Sequence, residues 1–487
     1  MKINIRYFLI IVLFTFSACD DWLELEPEDE LVQEEYWQTR EDVQAVLMSA
    51  YQQFALMDDQ LFIFGELRAD MISPRSPTTS QLLIMQGNLE PDNVLAKWDQ
   101  FYKVINFCNY VLEFAPLAFE RDETFVEYQL RGFEAEALFL RGLAYFYLVR
   151  IYGDVPLVLS SSKTDGQNFF IPKSSGNEIL ERIKEDLRQA RLISTDEYGD
   201  LENNKGRAGK DAINALLADI SLWQFEYQDC IDYCNAISEE EYILLSGSQW
   251  FTLFYPGNSL ESIFELQFND NLGQPNRIYD FTYNNFRVEA SEFTQEILDP
   301  QLSKEVWRSS SYTNISLNNK RIWKYAGIQA DMESVRPGSE LRSANWIVYR
   351  YADIMLMKAE ALNQLGFFQE AIELVNELRT RAFMETVSPS MNRRTIEDII
   401  LRERAKEFAF EGKRWFDLLR MGRRNDFERK EELIERMILN VPATQKLVLS
   451  SKLNDPNGWY FPIYIDELEA NNQLEQNPYY SSFIIEN

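Results

Sequence analysis

The stretch Arg141-Gly-Leu-Ala-Tyr-Phe-Tyr-Leu-Val-Arg-Ile-Tyr-Gly-Asp-Val-Pro-Leu-Val158 decides the class of the fold. It closes a run in which Phe133, Ala137, Leu140, Ala144 and Leu148 recur at spacings of four, three, four and four. Such spacing lines one face of a helix with a 3.6-residue period. The run predicts a helix from about Glu127 to Tyr152, stopped by Gly153-Asp154-Val155-Pro156.

Working outward, amphipathic runs predict further helices over 41–57, 98–114, 177–193, 209–225, 228–237, 347–365, 368–383 and 395–421. Thr39-x-x-Asp42, Ser175-x-x-Glu178 and Thr395-x-x-Asp398 are candidate capping boxes. Strand-like alternation is sparse, with Ile263 to Phe268 the best case. The reading is therefore all-α. Ala359 and Ala371, with Gly366-Phe367-Phe368 between them, fit a helix-turn-helix of tetratricopeptide type. Ala218 and Cys230, around Phe225-Glu226-Tyr227, fit the same register. Small residues there let two helices approach closely. Three stretches resist a helical reading: 58–97, 238–346 and 439–487, rich in Pro, Gly and Asn. Long insertions on a rigid scaffold are frequent carriers of function.

Composition narrows the function. The chain has 487 residues, of which 46% are hydrophobic, so it can bury a large core. Its net charge is 48 − 78 = −30, which argues against a nucleic-acid partner. Histidine is absent, which excludes a Ser-His-Asp triad, a His-bound zinc and a histidine base. Cys230-x-x-x-Cys234 is the one close cysteine pair and lacks two further ligands for a metal, so it reads as buried packing. Gly206-x-x-Gly209-Lys210-Asp211 lacks the spacing and hydroxyl of a phosphate loop. No carboxylate pair stands out among 78 acidic residues. No enzyme, cofactor or metal is expected.

The N-terminus reads as a targeting segment. Lys2 and Arg6 precede an apolar run, Tyr7 to Phe16, that is too short to span a bilayer as a helix. Ser17-Ala18-Cys19 follows and resembles a bacterial lipobox, with Phe16 a departure from its usual aliphatic residue. The alternative is an ordinary cleaved signal with an incidental cysteine. On the first reading residues 1–18 are a signal peptide, Cys19 is lipidated, and 19–40 is an acidic tether carrying Asp20, Asp21 and Glu24. Several acyl chains on one cysteine anchor stably where one does not.

Four segments carry a family resemblance. The Arg141–Val158 stretch resembles the hallmark of the SusD/RagB outer-membrane lipoproteins. Arg350-Tyr-Ala-Asp-Ile-Met-Leu-Met-Lys-Ala-Glu-Ala-Leu-Asn363 resembles that family's later repeat helix. Glu403-Arg-Ala-Lys-Glu-Phe-Ala-Phe-Glu-Gly-Lys-Arg-Trp-Phe-Asp-Leu418 resembles its long C-terminal helix. Tyr460-Phe-Pro-Ile463 and Glu475-Gln-Asn-Pro-Tyr479 resemble its closing loop. The resemblance implies one SusD-like domain over 41–487, with four tetratricopeptide-like helix pairs. Its N-terminal part is 41–237, its variable insertion 238–346 and its C-terminal part 347–487. It also implies a cell-surface lipoprotein that captures an oligosaccharide for a SusC-like, TonB-dependent outer-membrane barrel. Peptide capture, as in the RagB branch, and a scaffold without its own ligand are the alternatives.

The matching motifs are mostly scaffold. Arg141, Arg150, Asp154 and Asp353 are expected to fix helix ends and packing, and Trp415 and Phe416 to lie in the core. Arg404, Glu407, Glu411 and Arg414 form a three-and-four-spaced ridge that reads as a solvated, paired helix face. Ligand contacts are expected in the insertions. Tyr279-Asp-Phe-Thr-Tyr-Asn-Asn-Phe-Arg287 is a dense aromatic and amide cluster. It is either a ligand face or a loop packed on the helices. Tyr279, Tyr283, Asn285, Phe286 and Arg287 are its candidates. Arg68, Asp70, Arg75 and Gln81 are the candidates of the other insertion, where the family usually places contacts. An aromatic side chain covers the apolar face of a sugar while amide and guanidinium groups bond its rim.

Overall fold

The structure is a computed structural model that describes residues 35–163, 167–195, 197–298, 308, 320–327, 336–390 and 392–483. Cys19, the signal segment and residues 19–34 of the tether lie outside the described residues. The first half contains α1 (Arg40–Ala55), α2 (Asp58–Glu66), β1 (Ile72–Pro74), α3 (Thr79–Met85), α4 (Asp99–Arg121) and α5 (Glu127–Tyr152). The short strands β2 (Val155–Pro156) and β3 (Lys173–Ser174) precede α6 (Gly176–Ile193), α7 (Leu201–Gly206), α8 (Lys210–Trp223) and α9 (Tyr227–Asn235). Then come β4 (Ser262–Leu266), β5 (Val288–Ala290), α10 (Glu292–Leu298) and β6 (Trp346–Arg350). The chain closes with α11 (Tyr351–Leu365), α12 (Phe368–Arg381), α13 (Arg393–Glu407), α14 (Arg414–Phe427), α15 (Lys430–Met437), α16 (Ala443–Lys452) and α17 (Ile465–Ala470).

Four helix pairs form the scaffold: α1 with α4, α5 with α6, α8 with α9, and α11 with α12. Neighbouring pairs meet through α4 against α5 and α9 against α11. The all-α expectation and the four pairs hold. α5 has the predicted limits and is buried on nearly every side from Leu130 onward. Ala359, Ala371, Ala218 and Cys230 are fully buried, as close helix approach requires. The Cys230 and Cys234 sulfurs rest against the Met357 and Ile354 carbonyls of α11. The capping boxes at Thr39 and Ser175 form. α13 instead starts at Asn392, whose side chain accepts from the Thr395 N–H at 3.0 Å.

Arg141 reaches Asn109 at 2.9 Å and pairs with Asp186. Arg150 lies over Phe146, Tyr147 and Phe416 within 4.6 Å of each ring centroid. The Asp154 carboxylate accepts from the Gly176 N–H at 2.9 Å and so ties the end of α5 to the start of α6. Asp353 pairs with Arg404 and Lys413, which together hold its carboxyl far below the ordinary range against the penalty of burial. These residues are scaffold, as expected.

Two expectations fail here. The helix predicted over 395–421 is two helices, broken at 408–413 where Phe410 and Gly412 take positive φ. A Cβ on Gly412 would sit 2.7 Å from the Trp346 ring, and one on Gly65 would sit 1.9 Å from the Gly412 carbonyl oxygen. Backbone therefore touches backbone between α2 and this turn, and only glycine at both positions permits it. The Arg404, Glu407, Glu411 and Arg414 ridge is not a solvated face either: all four side chains are buried. Arg350 spans Glu261 at 2.7 Å, Glu407 at 2.7 Å and Glu411 at 2.9 Å. Lys324 adds a 2.7 Å pair to Glu411, and Arg308 pairs with Glu403 and Glu407. The partners come from the insertion and from β6, which same-helix spacing could not indicate.

The three resistant stretches are partly regular. Residues 58–97 contain α2 and α3, and 439–487 contain α16 and α17. Within 238–346, β4 pairs antiparallel with β6, and β5 pairs antiparallel with β1. The strand read at 263–268 is β4.

Candidate functional site

The β1–β5 ribbon joins the two insertions. Ile72 lies opposite Ala290 and Pro74 opposite Val288. Beyond the ribbon, the Arg75 and Ser76 N–H groups both donate to the Arg287 carbonyl at 3.1 Å. The Arg287 guanidinium returns a bond to the Ser76 carbonyl at 3.1 Å. On the other side of β5, the Ala290 N–H donates to the Lys320 carbonyl at 3.0 Å, which sets 320–323 alongside.

The aromatic segment starts at a fixed point. Arg277 donates its backbone N–H and its Nε to the Asp58 carboxylate at the N-terminus of α2. Burial raises the Asp58 pKa to about 6 despite that guanidinium. The chain then makes a wide turn, with the Asn285 N–H donating to the Asp280 carbonyl at 2.8 Å, five residues back. Wide turns of this kind recur at functional sites. Tyr279 and Tyr283, four apart, stack with centroids 5.6 Å apart and planes at 27°. Tyr283 also meets Trp323 at 5.2 Å. Phe286 takes φ 48°, in the left-handed region. The Arg321 guanidinium lies 5.0 Å from the Tyr283 ring and 4.8 Å from Phe286, and Arg75 lies 5.6 Å from Phe286. Tyr279, Tyr283, Phe286 and Arg287 are half-buried, while Asn285 and Arg75 are exposed. Half-buried rings bordered by amide and guanidinium donors can hold a flat, hydroxyl-rimmed ligand.

The structure thus brings Arg75 together with Tyr279, Tyr283, Asn285, Phe286 and Arg287. The remaining candidates lie elsewhere. Arg68 is buried, donates to the Trp459 and Gly458 carbonyls, and lies 4.7 Å from the Trp415 ring. Asp70 is buried and accepts from Arg414 at 2.7 and 2.8 Å. Gln81 is buried and closes the capping box of α3 with Thr78. These three side chains are buried and hold the fold of the first insertion. The sequence reading missed Arg321 and Trp323. The basic-aromatic run Lys320-Arg-Ile-Trp-Lys-Tyr325 was the available signal. It also missed Arg342, whose Nε lies 3.5 Å from Asp280. A separate cavity of about 530 Å3 opens between α1, α7 and 266–277, lined by Met48, Gln52, Arg207, Phe268 and Gln274. Among the described residues no group of three or more acidic or cysteine side chains is placed to hold a metal ion.

Two family models match the chain. One, described as "SusD family", covers residues 261–480. The other, described as "Starch-binding associating with outer membrane", covers 21–222. The chain belongs to the SusD family. It is 26% identical over 473 residues to SusD-like protein P38 of Formosa agariphila, covering 86% of this chain and 91% of that one. It is 24% identical to a SusD-like protein of Bacteroides ovatus, covering 86% and 83%. A crystal structure of a SusD superfamily protein from Bacteroides thetaiotaomicron superposes with TM-score 0.73 at 26% identity, covering 91% of this chain and 99% of that one. Surface glycan-binding protein A from the same organism superposes with TM-score 0.68 at 20% identity, covering 91% and 100%. The second likeness speaks to the fold. Among the described residues of this SusD-family chain, no helix is long and apolar enough to cross a membrane.

Proposed function

We propose that this protein is a non-catalytic receptor that captures an oligosaccharide at the cell surface and passes it to a SusC-like, TonB-dependent outer-membrane transporter. On this reading residues 1–18 are removed, Cys19 carries the lipid anchor, and 41–487 works as one domain. The observation that carries it is the platform: stacked Tyr279 and Tyr283, with Asn285 and guanidinium groups at their edge, where the two insertions meet. Family membership supports the outer-membrane setting. Capture by such a surface needs only stacking and rim hydrogen bonds, and release follows when the partner offers the ligand a competing site.

Calorimetric titration against panels of oligosaccharides and oligopeptides tests it. Heat from a sugar class, lost in Tyr283→Ala, supports the reading. Heat from peptides alone replaces it with peptide capture, and silence from both sinks ligand capture by the isolated protein. For the anchor, Cys19→Ala should release the protein from the membrane fraction, and unchanged retention would remove Cys19 from the account.

A further inference from the structure

The platform is basic in an acidic protein. The whole chain carries 48 Lys and Arg against 78 Asp and Glu. The strips that build the platform, 71–81, 279–291 and 320–323, reverse the ratio: Arg75, Arg287, Lys320 and Arg321 against Asp280 and Glu289. Arg342, from a fourth strip, joins at the Asp280 end.

Two of these charges, Arg75 and Arg342, have only distant and exposed carboxylate partners. Arg75 has Glu289 at 3.8 Å with 59% of its side chain exposed, and Arg342 has Asp280 at 3.5 Å with 40% exposed. Pairs this open contribute little to stability. The Arg321 guanidinium also lies over Tyr283 and Phe286, and that of Arg75 over Phe286. A guanidinium carries its five N–H donors in one plane. That plane matches a carboxylate or sulfate two bonds at a time. A neutral sugar can accept hydrogen bonds from these donors but gains nothing from their net charge, and a cationic ligand is repelled by it.

The geometry points to an anionic oligosaccharide, bearing carboxylate or sulfate groups, as the ligand class of this platform. This rests on the capture reading above and narrows it. The rings take the apolar sugar face, while Arg75 and Arg321 take the anionic substituents at its edge.

The test uses matched polymers: homogalacturonan and its carboxyl-reduced form, and a sulfated galactan and its desulfated form. Binding to an anionic member should exceed binding to its neutral partner by about tenfold or more. It should fall about tenfold in Arg321→Gln and in Arg75→Gln. It should also weaken as salt rises from about 50 to about 500 mM. Arg131→Gln, an exposed arginine on α5 paired with Glu134, controls for net charge and should change nothing. The carboxylate and sulfate arms show which anion is recognised. Equal binding within both pairs, or binding to neutral polymers only, overturns the proposal and leaves capture standing. Silence on all four, with heat from neutral oligosaccharides in the calorimetric panel, overturns it in the same way, whereas heat from peptides alone overturns it together with the oligosaccharide reading. Silence everywhere overturns capture and this proposal together. Unchanged melting temperatures in both arginine variants are required for a loss of binding to count.

Discussion

The chain uses arginine and aromatic rings twice, with opposite outcomes. Around Arg350 the guanidinium is fully buried, lies 5.5 Å from the Trp250 ring and 4.4 Å from Phe408, and meets three carboxylates within 2.9 Å. Around Phe286 the guanidinium groups lie at similar distances from their rings, yet the carboxylates near Arg75 and Arg342 stand 3.8 and 3.5 Å away and solvent reaches the charges. The first arrangement joins the residue before β4, β6, α13 and the 408–413 turn. The second leaves donors at a surface. The difference lies in how closely carboxylates approach and how much water remains. A stacked arginine alone therefore identifies neither a core nor a site.

The comparison breaks first at Arg350. Removing it strands the Glu261, Glu407 and Glu411 carboxylates in the core, so Arg350→Ala should cost about 3–5 kcal/mol. Chemical denaturation measures it, and a loss under about 1 kcal/mol would mean that the cluster contributes little to the fold. Glu66 probes the same buried region through pH. Burial raises its pKa to about 8, against 4.5 for the ordinary group. Between those values the folded protein keeps a proton that the unfolded chain has lost, so this group lowers stability as pH rises. Glu66→Gln should stabilise the protein at pH 8 by about 4 kcal/mol relative to wild type, with the gain shrinking toward pH 5. A gain that is independent of pH would contradict the assignment.

On the platform the expectation reverses. Tyr283→Ala should weaken ligand binding about tenfold, with a fall in melting temperature far smaller than that of Arg350→Ala. A large fall would reassign Tyr283 to the core. The smallest effect belongs to Arg131, whose exposed pair with Glu134 is the ordinary surface case. Arg131→Gln should move stability by no more than about 0.5 kcal/mol.

The scaffold was legible because helix pairs write themselves into spacing. α5 could be read to the residue from its apolar face and its Gly153 stop, and the α8–α9 and α11–α12 pairs from small residues at matched positions. The 408–413 break was not legible. Its cause is the approach of Gly65 to Gly412, 347 positions away in the chain. Glu407 and Glu411 misled for the same reason, because their partners arrive from β6 and the insertion. Of the site, the 279–287 cluster was visible as composition. That Arg75 joins it while Arg68 and Asp70 turn inward depends on the β1–β5 register, which no local pattern encodes. Arg321 and Trp323 enter through the Ala290–Lys320 bond, equally long-range.

The most direct test of the central claim is a crystal structure of the protein with the oligosaccharide that binds it most tightly. The account predicts a sugar ring against Tyr279 and Tyr283, with Arg75 and Arg321 at its edge. A ligand seated instead in the cavity between α1, α7 and 266–277, with the platform bare, would contradict it.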